Sequence, residues 1–162
     1  MKQKKKLLFP SNEPIRVLAV ASGGGHWNEL LRLCPALDGC ELYFIGIDAI
    51  WESTVTPHPF YVVPDAHFEE PWRMIRTFFR MLRLFRKILP QIVISTGAAP
   101  GGMSMLLGRI FHARTLWVDS NANCKVLSFS GKLALRIAHK TITQHLHLAR
   151  PGGPIYQGKI II

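Results

Sequence analysis

A chain of 162 residues, 48% of them hydrophobic, has the length of one domain and enough apolar material for a core, which excludes wholesale disorder. Twenty basic residues against ten acidic ones leave a formal charge of +10, which calls for an anionic partner: a nucleic acid, a phosphorylated ligand or an acidic membrane surface. Cys34, Cys40 and Cys124 form no zinc-type spacing, so no metal or other cofactor is expected, and free thiols fit a reducing cytoplasm.

Residues 1–14 read as a basic extension. Lys2, Lys4, Lys5 and Lys6 stand before Leu7-Leu8-Phe9, and Pro10 follows. That apolar run is too short for a signal peptide. No stretch of roughly 18 apolar residues occurs, so no membrane span is expected. Residues 15–150 then read as one domain. Ile15 to Val20 is a buried parallel strand, and Trp27 to Leu37 a helix burying Leu30, Leu31 and Leu33. Glu41 to Gly46 and the shorter Phe60 to Val63 are strands. Pro71 to Leu89 is a long helix, with proline where a helix start tolerates it and Pro90 as its stop. The strand Gln91 to Ser95 leads into a glycine-rich turn, Gly97 to Gly102, and a helix, Met103 to Phe111. The strand Thr115 to Val118, the helix Ser128 to Ala138 and the strand Lys140 to Thr143 complete the pattern. After Pro151-Gly152-Gly153-Pro154 comes an apolar, β-prone tail, Ile155 to Ile162, expected to leave the domain body, the alternative being the last strand of this domain's own sheet.

Strands alternating with helices predict an α/β fold, a Rossmann-like parallel sheet with helices on both faces. Ligands bind such sheets beyond the carboxyl ends of the strands. Both glycine turns and the Asp119-Ser120 pair follow strands, so they are expected at one edge.

Ser22-Gly23-Gly24-Gly25-His26 lets backbone approach a ligand, and the helix beyond it offers unpaired N–H groups to a phosphate or polar sugar. It is neither a dinucleotide fingerprint nor a Walker A loop. His26 is a candidate general base, or else a cap on a tight turn. Gly97 opens a second candidate cradle, or an ordinary connection. Asp119 and Ser120 are candidates for sugar hydroxyls, or for a helix-capping cluster.

At about 100° per residue, Arg73, Arg76, Arg80, Arg83 and Lys87 form one stripe on the long helix. Ile75, Phe78, Phe79, Leu82, Phe85 and Leu89 lie roughly opposite. Met74, Met81, Leu84 and Ile88 widen the apolar arc beyond what one sheet face covers. Such a helix fits the surface of an anionic bilayer; the alternative is a core helix with a solvated basic face.

The segment Ser22-Gly23-Gly24-Gly25-His26-Trp27-Asn28-Glu29-Leu30-Leu31-Arg32-Leu33 resembles the Gly-Gly-His loop and helix of a known family. This is the acceptor-side, membrane-associating subunit of the two-chain UDP-N-acetylglucosamine transferase of lipid-linked oligosaccharide synthesis, with its bacterial exopolysaccharide relatives. The likeness continues in Ile94-Ser95-Thr96-Gly97, in Trp117-Val118-Asp119-Ser120 leading into Lys125 to Leu133, and in Ile155 to Ile160. The resemblance implies the N-terminal half of a GT-B glycosyltransferase, with a separate small catalytic chain binding the UDP-sugar. It implies a place beside the reaction centre for Gly24, Gly25 and His26. The family usually has glutamate where this chain has Asp119. Eukaryotic members carry an N-terminal membrane helix, whereas the lysine cluster here implies peripheral attachment.

The reading is therefore an acceptor-binding, membrane-recruiting glycosyltransferase subunit, peripheral on the cytoplasmic face of the inner membrane and acting on a lipid-linked sugar acceptor. Residues 151–162 are expected to dock on the partner through Ile160, Ile161 and Ile162. One rival is a stand-alone Rossmann-type enzyme with a nucleotide or phosphate ligand. A nucleic-acid module is disfavoured, because the basic residues sit on a strongly apolar helix and no nucleic-acid motif appears.

Overall fold

The strong apolar runs resolve into strands because each is covered on both faces. In the computed structural model, which describes residues 13–66 and 70–160, β1 (Arg16–Val20) alternates its side chains between two core halves. Leu18 and Val20 pack with Met81, Phe85, Met105 and Trp117 on one face. Val17 and Ala19 pack with Trp27, Leu30 and Phe44 on the other. A strand buried on both sides has no polar alternation to show.

The remaining elements are α1 (Gly24–Leu33), β2 (Glu41–Gly46), β3 (Phe60–Val62), α2 (Pro71–Ile88), β4 (Ile92–Ser95), α3 (Ala98–Ile110), β5 (Arg114–Val118), α4 (Phe129–Ile137), β6 (Lys140–Thr143) and β7 (Ile155–Tyr156). The sheet runs β3-β2-β1-β4-β5-β6-β7, and every pairing is parallel. Helix α1 covers one face; α2, α3 and α4 pack against the other. The fold is the expected Rossmann-like α/β sheet, and its strand order reverses between β1 and β4. That reversal opens a crevice at the carboxyl edge, flanked by the loops after β1 and β4.

Three boundaries differ from the sequence expectation. The first helix starts at Gly24 and stops at Leu33, giving way to a 3-10 turn over Cys34–Leu37. Pro35 causes this, since it lacks an N–H and its ring crowds the carbonyl one turn back. The stretch Gly97 to Gly102 is a helix start, not a loop: α3 begins at Ala98. A Cβ on Gly101 would lie 2.2 Å from Ser95 Oγ and 3.1 Å from the Trp117 ring. The small residues there let the helix sit close on β4 and β5. Finally, Ile155–Tyr156 does not leave the domain body. It is the seventh strand, paired with β6 as Ile142↔Ile155 and Thr143↔Tyr156. The Ile160 N–H donates to Gln144 Oε1 at 2.9 Å, while Ile161 and Ile162 lie outside the described residues, as does most of the basic extension.

His139 joins the helix layer to the sheet. Its Nδ1 accepts from the Thr115 N–H at 3.2 Å, and its own N–H donates to Thr115 Oγ1 at 2.9 Å. Desolvation, then the charges of Arg109 and Arg114, push its pKa below the ordinary imidazole value. Between that lowered value and the unfolded one near 6.5, the unfolded chain binds more protons, so this contribution falls as pH drops through the window. His139→Asn keeps an acceptor near Thr115 but cannot titrate. It is expected to narrow the gap between urea midpoints measured at pH 7 and pH 5.5.

Candidate functional site

The loop after β1 is shaped by close contacts. Gly23 packs on Trp51, whose indole Nε1 would lie 3.2 Å from a Cβ there. Trp51 itself stacks on Trp27 at 5.9 Å. Trp27 is fully buried, and its Nε1–H donates to Thr54 Oγ1 at 2.9 Å. This aromatic block fixes where α1 begins. Gly24 has φ +58, a left-handed conformation that glycine adopts without penalty. A Cβ on Gly24 or Gly25 would meet nothing within 4 Å. The first turn of α1 carries no acidic residue and no side-chain cap. Its free N–H groups and positive dipole end therefore face open space.

The loop after β4 locks onto this turn. Thr96 Oγ1 donates to the His26 carbonyl at 2.6 Å. Gly97 lies against the His26 ring: a Cβ there would come within 2.4 Å of Nδ1 and Cε1. The imidazole is about one-third exposed (32%), yet Nδ1 is buried without a hydrogen-bond partner. Glu29, one helical turn on and only 2% exposed, points Oε2 at that nitrogen from 3.9 Å. Beside the two loops is a cleft of about 470 Å³ lined by Ser22, Gly23, Ile47, Asp65, Ala66, Ala98, Ala99 and Ser130.

Of the residues expected at the site, Ser22 and Gly23 line the cleft, Gly24 and Gly25 stand exposed, and His26 and Gly97 touch each other. Asp119 and Ser120 do not line it and are both buried, bonded within the domain. Asp119 is 1% exposed. Its Oδ1 accepts from Trp117 Nε1 (3.1 Å) and Ser128 Oγ (2.6 Å), and its Oδ2 from the Ser128 N–H (3.1 Å). Every one of those donors is structural: the carboxylate holds Ser128 in place, and Ser128 Oγ caps α4 through the Gly131 N–H. Ser120 is also buried and donates to Glu29 Oε1 at 3.1 Å.

Sequence reasoning gave no role to Glu29, Gln144 or Asp65. The first had a visible signal, since Glu29 stands three residues after His26 on one helix face. Gln144 and Asp65 had none: Gln144 meets Glu29 from 115 residues away, and Asp65 joins Ser22, Ala98 and Ser130 only at the cleft.

Helix α2 presents a second feature. Thr77, Met81, Phe85 and Ile88 are its buried stripe. Arg73, Arg76, Arg80, Arg83 and Lys87 are exposed, with Arg73 paired to Glu70 at 3.1 Å and Lys87 lying 5.1 Å over the Tyr61 ring. Trp72 (81% exposed), Ile75 and Phe79 stand beside them in solvent. These lead into an apolar groove of about 340 Å³ between α2, α3 and α4, lined by Met74, Ile75, Phe78, Phe79, Met103, Leu106, Leu133 and Ile137 among others. The apolar arc is thus wider than the sheet covers, and part of it is surface.

No family model matches the chain. Over 121 residues it is 26% identical to the UDP-N-acetylglucosamine--N-acetylmuramyl-(pentapeptide) pyrophosphoryl-undecaprenol N-acetylglucosamine transferase of Synechocystis sp., a stretch covering 67% of this chain and 34% of that enzyme. Among solved structures, the MurG of Acinetobacter baumannii superposes with a TM-score of 0.75 at 16% identity, covering 89% of this chain and 46% of that one. The fold is that of one Rossmann-like half of a GT-B glycosyltransferase. A glycosyltransferase from Rickettsia africae matches at TM-score 0.61 and 15% identity, covering 81% of this chain and 37% of its own. The UDP-N-acetylglucosamine 2-epimerase of Rickettsia bellii matches at 0.63 and 14%, covering 92% and 46%. The chain spans about a third of the length of its transferase relative and under half of each of these structures. Among the described residues, no helix is long and apolar enough to cross a membrane, and no group of three or more His, Cys, Asp or Glu could hold a metal ion.

Proposed function

We propose that this chain is the acceptor-side half of a glycosyltransferase that moves a sugar from a UDP-sugar to a lipid-linked acceptor at the cytoplasmic face of the inner membrane. The observation that carries the reading is the His26 loop, placed at the switch point of a GT-B-type sheet and flanked by an open cleft. The similarity in sequence to a transferase acting on a pyrophosphoryl-undecaprenol acceptor supports the substrate class.

In this reading the acceptor hydroxyl enters the cleft between Ser22, Gly23 and Ala98. His26 takes its proton as the hydroxyl oxygen bonds to the anomeric carbon of the donor sugar. The bond from that carbon to the UDP oxygen breaks, and the diphosphate leaves on the partner half. The catalytic contribution is positioning, one base, and stabilisation of the leaving charge. The exposed residues of α2, with the Lys2, Lys4, Lys5 and Lys6 cluster, hold the chain to anionic lipid, where the acceptor resides. The segment after β7, through the apolar side chains of Ile160, Ile161 and Ile162, docks on a small UDP-sugar-binding chain.

A transfer assay tests the division of labour. With UDP-N-acetylglucosamine and an undecaprenyl-pyrophosphoryl sugar acceptor, the purified chain is expected to show no transfer. Adding the small protein of the neighbouring reading frame is expected to restore it. Transfer by the chain alone would overturn the two-chain reading.

A further inference from the structure

We infer that Glu29 is the positioning residue of His26: its buried carboxylate decides which imidazole nitrogen carries the proton and which one faces the reaction. This rests on the reading of His26 as the base and adds the residue that sets its tautomer.

The two oxygens of Glu29 have different surroundings. Oε1 accepts three hydrogen bonds, from Ser120 Oγ at 3.1 Å, the Asn121 N–H at 2.8 Å and Gln144 Nε2 at 3.2 Å. Two of these, the Asn121 N–H and the Gln144 amide nitrogen, cannot turn into acceptors there. A backbone N–H only donates. The orientation of the Gln144 amide is fixed from both ends, because its Oε1 accepts from the Ile160 N–H and its Nε2 also donates to the Asp119 carbonyl at 3.1 Å. The Ser120 hydroxyl accepts from the Ala122 N–H and so sends its hydrogen to Glu29. Oε2 has no partner and is buried, as is His26 Nδ1, and the two stand 3.9 Å apart. Both atoms are buried from bulk solvent, and Gly97 packs on the Nδ1 side of the ring.

A carboxylate oxygen only accepts, so Nδ1 must be the protonated nitrogen of the neutral ring. Nε2 then carries the lone pair that can take a proton. The same carboxylate stabilises the imidazolium once that proton is taken. The 3.9 Å gap needs a small ring rotation to become a hydrogen bond, and such contacts commonly tighten when substrate packs on the site.

Glu29→Gln turns this geometry into a test. The Asn121 N–H and the Gln144 amide nitrogen require an oxygen in that place, so the new amide presents its NH₂ to His26. Nδ1 then becomes an acceptor, and the proton moves to Nε2. Long-range ¹H–¹⁵N spectra of the full chain, recorded at a pH where the ring is neutral, read this without donor, acceptor or partner. The His26 signals are identified by their loss in His26→Ala. The wild type is expected to show Nδ1 as the protonated nitrogen, and Glu29→Gln to show Nε2. A wild-type ring protonated at Nε2 overturns the inference, as does a tautomer unmoved in the folded variant. If Glu29→Gln does not fold, the wild-type tautomer decides alone, with Glu29→Asp, which keeps a carboxylate, expected to retain it. In the reconstituted enzyme, Glu29→Gln should lower kcat on the order of 10²-fold with little change in KM. A flipped tautomer with unchanged transfer would uphold the positioning by Glu29 and remove His26 as the base.

Discussion

His26→Ala is expected to lower kcat/KM in the reconstituted enzyme by on the order of 10²-fold or more, the usual contribution of a positioned general base. The fold should survive, because the ring is about one-third exposed and its carbonyl, which holds Thr96, remains. The loss should fall mainly on kcat, since the proton is taken in the transition state and not on binding. Gly97→Ala supplies an independent check. Its methyl would stand 2.4 Å from the His26 ring, so the imidazole must move although His26 is untouched. A change of less than about threefold in His26→Ala would return His26 to the role of a turn residue whose ring only fills the space beside Gly97. Gly24→Ala probes the turn separately: its Cβ projects into open space, so damage beyond the modest cost of φ +58 would mean that a ligand approaches there.

How much of this was legible in the sequence depends on the range of the interactions concerned. The strands were legible because their apolar runs are continuous wherever helices cover both faces, as at Val17 to Val20. The convergence of Ser22 and Gly97 followed from topology, since both loops end strands at one edge. The phase of α2 was not legible. Periodicity marks an apolar arc, but the sheet covers only the part centred on Met81 and Phe85, leaving Ile75 and Phe79 outside. Asp119 kept two readings open, because capping clusters and sugar-binding acids share residue types; its bonds to Trp117 and Ser128 decide for the cap. Glu29 showed its helical spacing from His26, but not the donors that hold its carboxylate, which lie 91 to 115 residues away. The Ile155–Tyr156 strand was misplaced because a Pro-Gly-Gly-Pro break reads as departure, whereas here it turns the chain back beside β6.

Replacing Arg76, Arg80 and Arg83 together by glutamine is expected to weaken binding to anionic vesicles by about two orders of magnitude. Each basic residue near a negatively charged surface contributes about 1 kcal/mol, and 1.4 kcal/mol is a factor of ten. The three are chosen because all are exposed and, among the described residues, form neither an ion pair, as Arg73 does with Glu70, nor a ring contact, as Lys87 does with Tyr61. Thermal stability should change little, since the helix is held by Met81, Phe85 and Ile88 on its other side. The Lys2, Lys4, Lys5 and Lys6 cluster stays intact, so the loss reads α2 alone. Two controls separate charge from apolar insertion. Raising salt should weaken the wild type toward the triple variant, because exposed charges are screened beyond roughly 8 Å at physiological ionic strength. Trp72→Ala should weaken binding at all salt concentrations, because Trp72 is 81% exposed and offers a large apolar body beside the basic stripe. If the triple variant binds phosphatidylserine-containing vesicles as tightly as the wild type, α2 is a core helix with a solvated basic face, and recruitment to the membrane must be sought elsewhere in the chain.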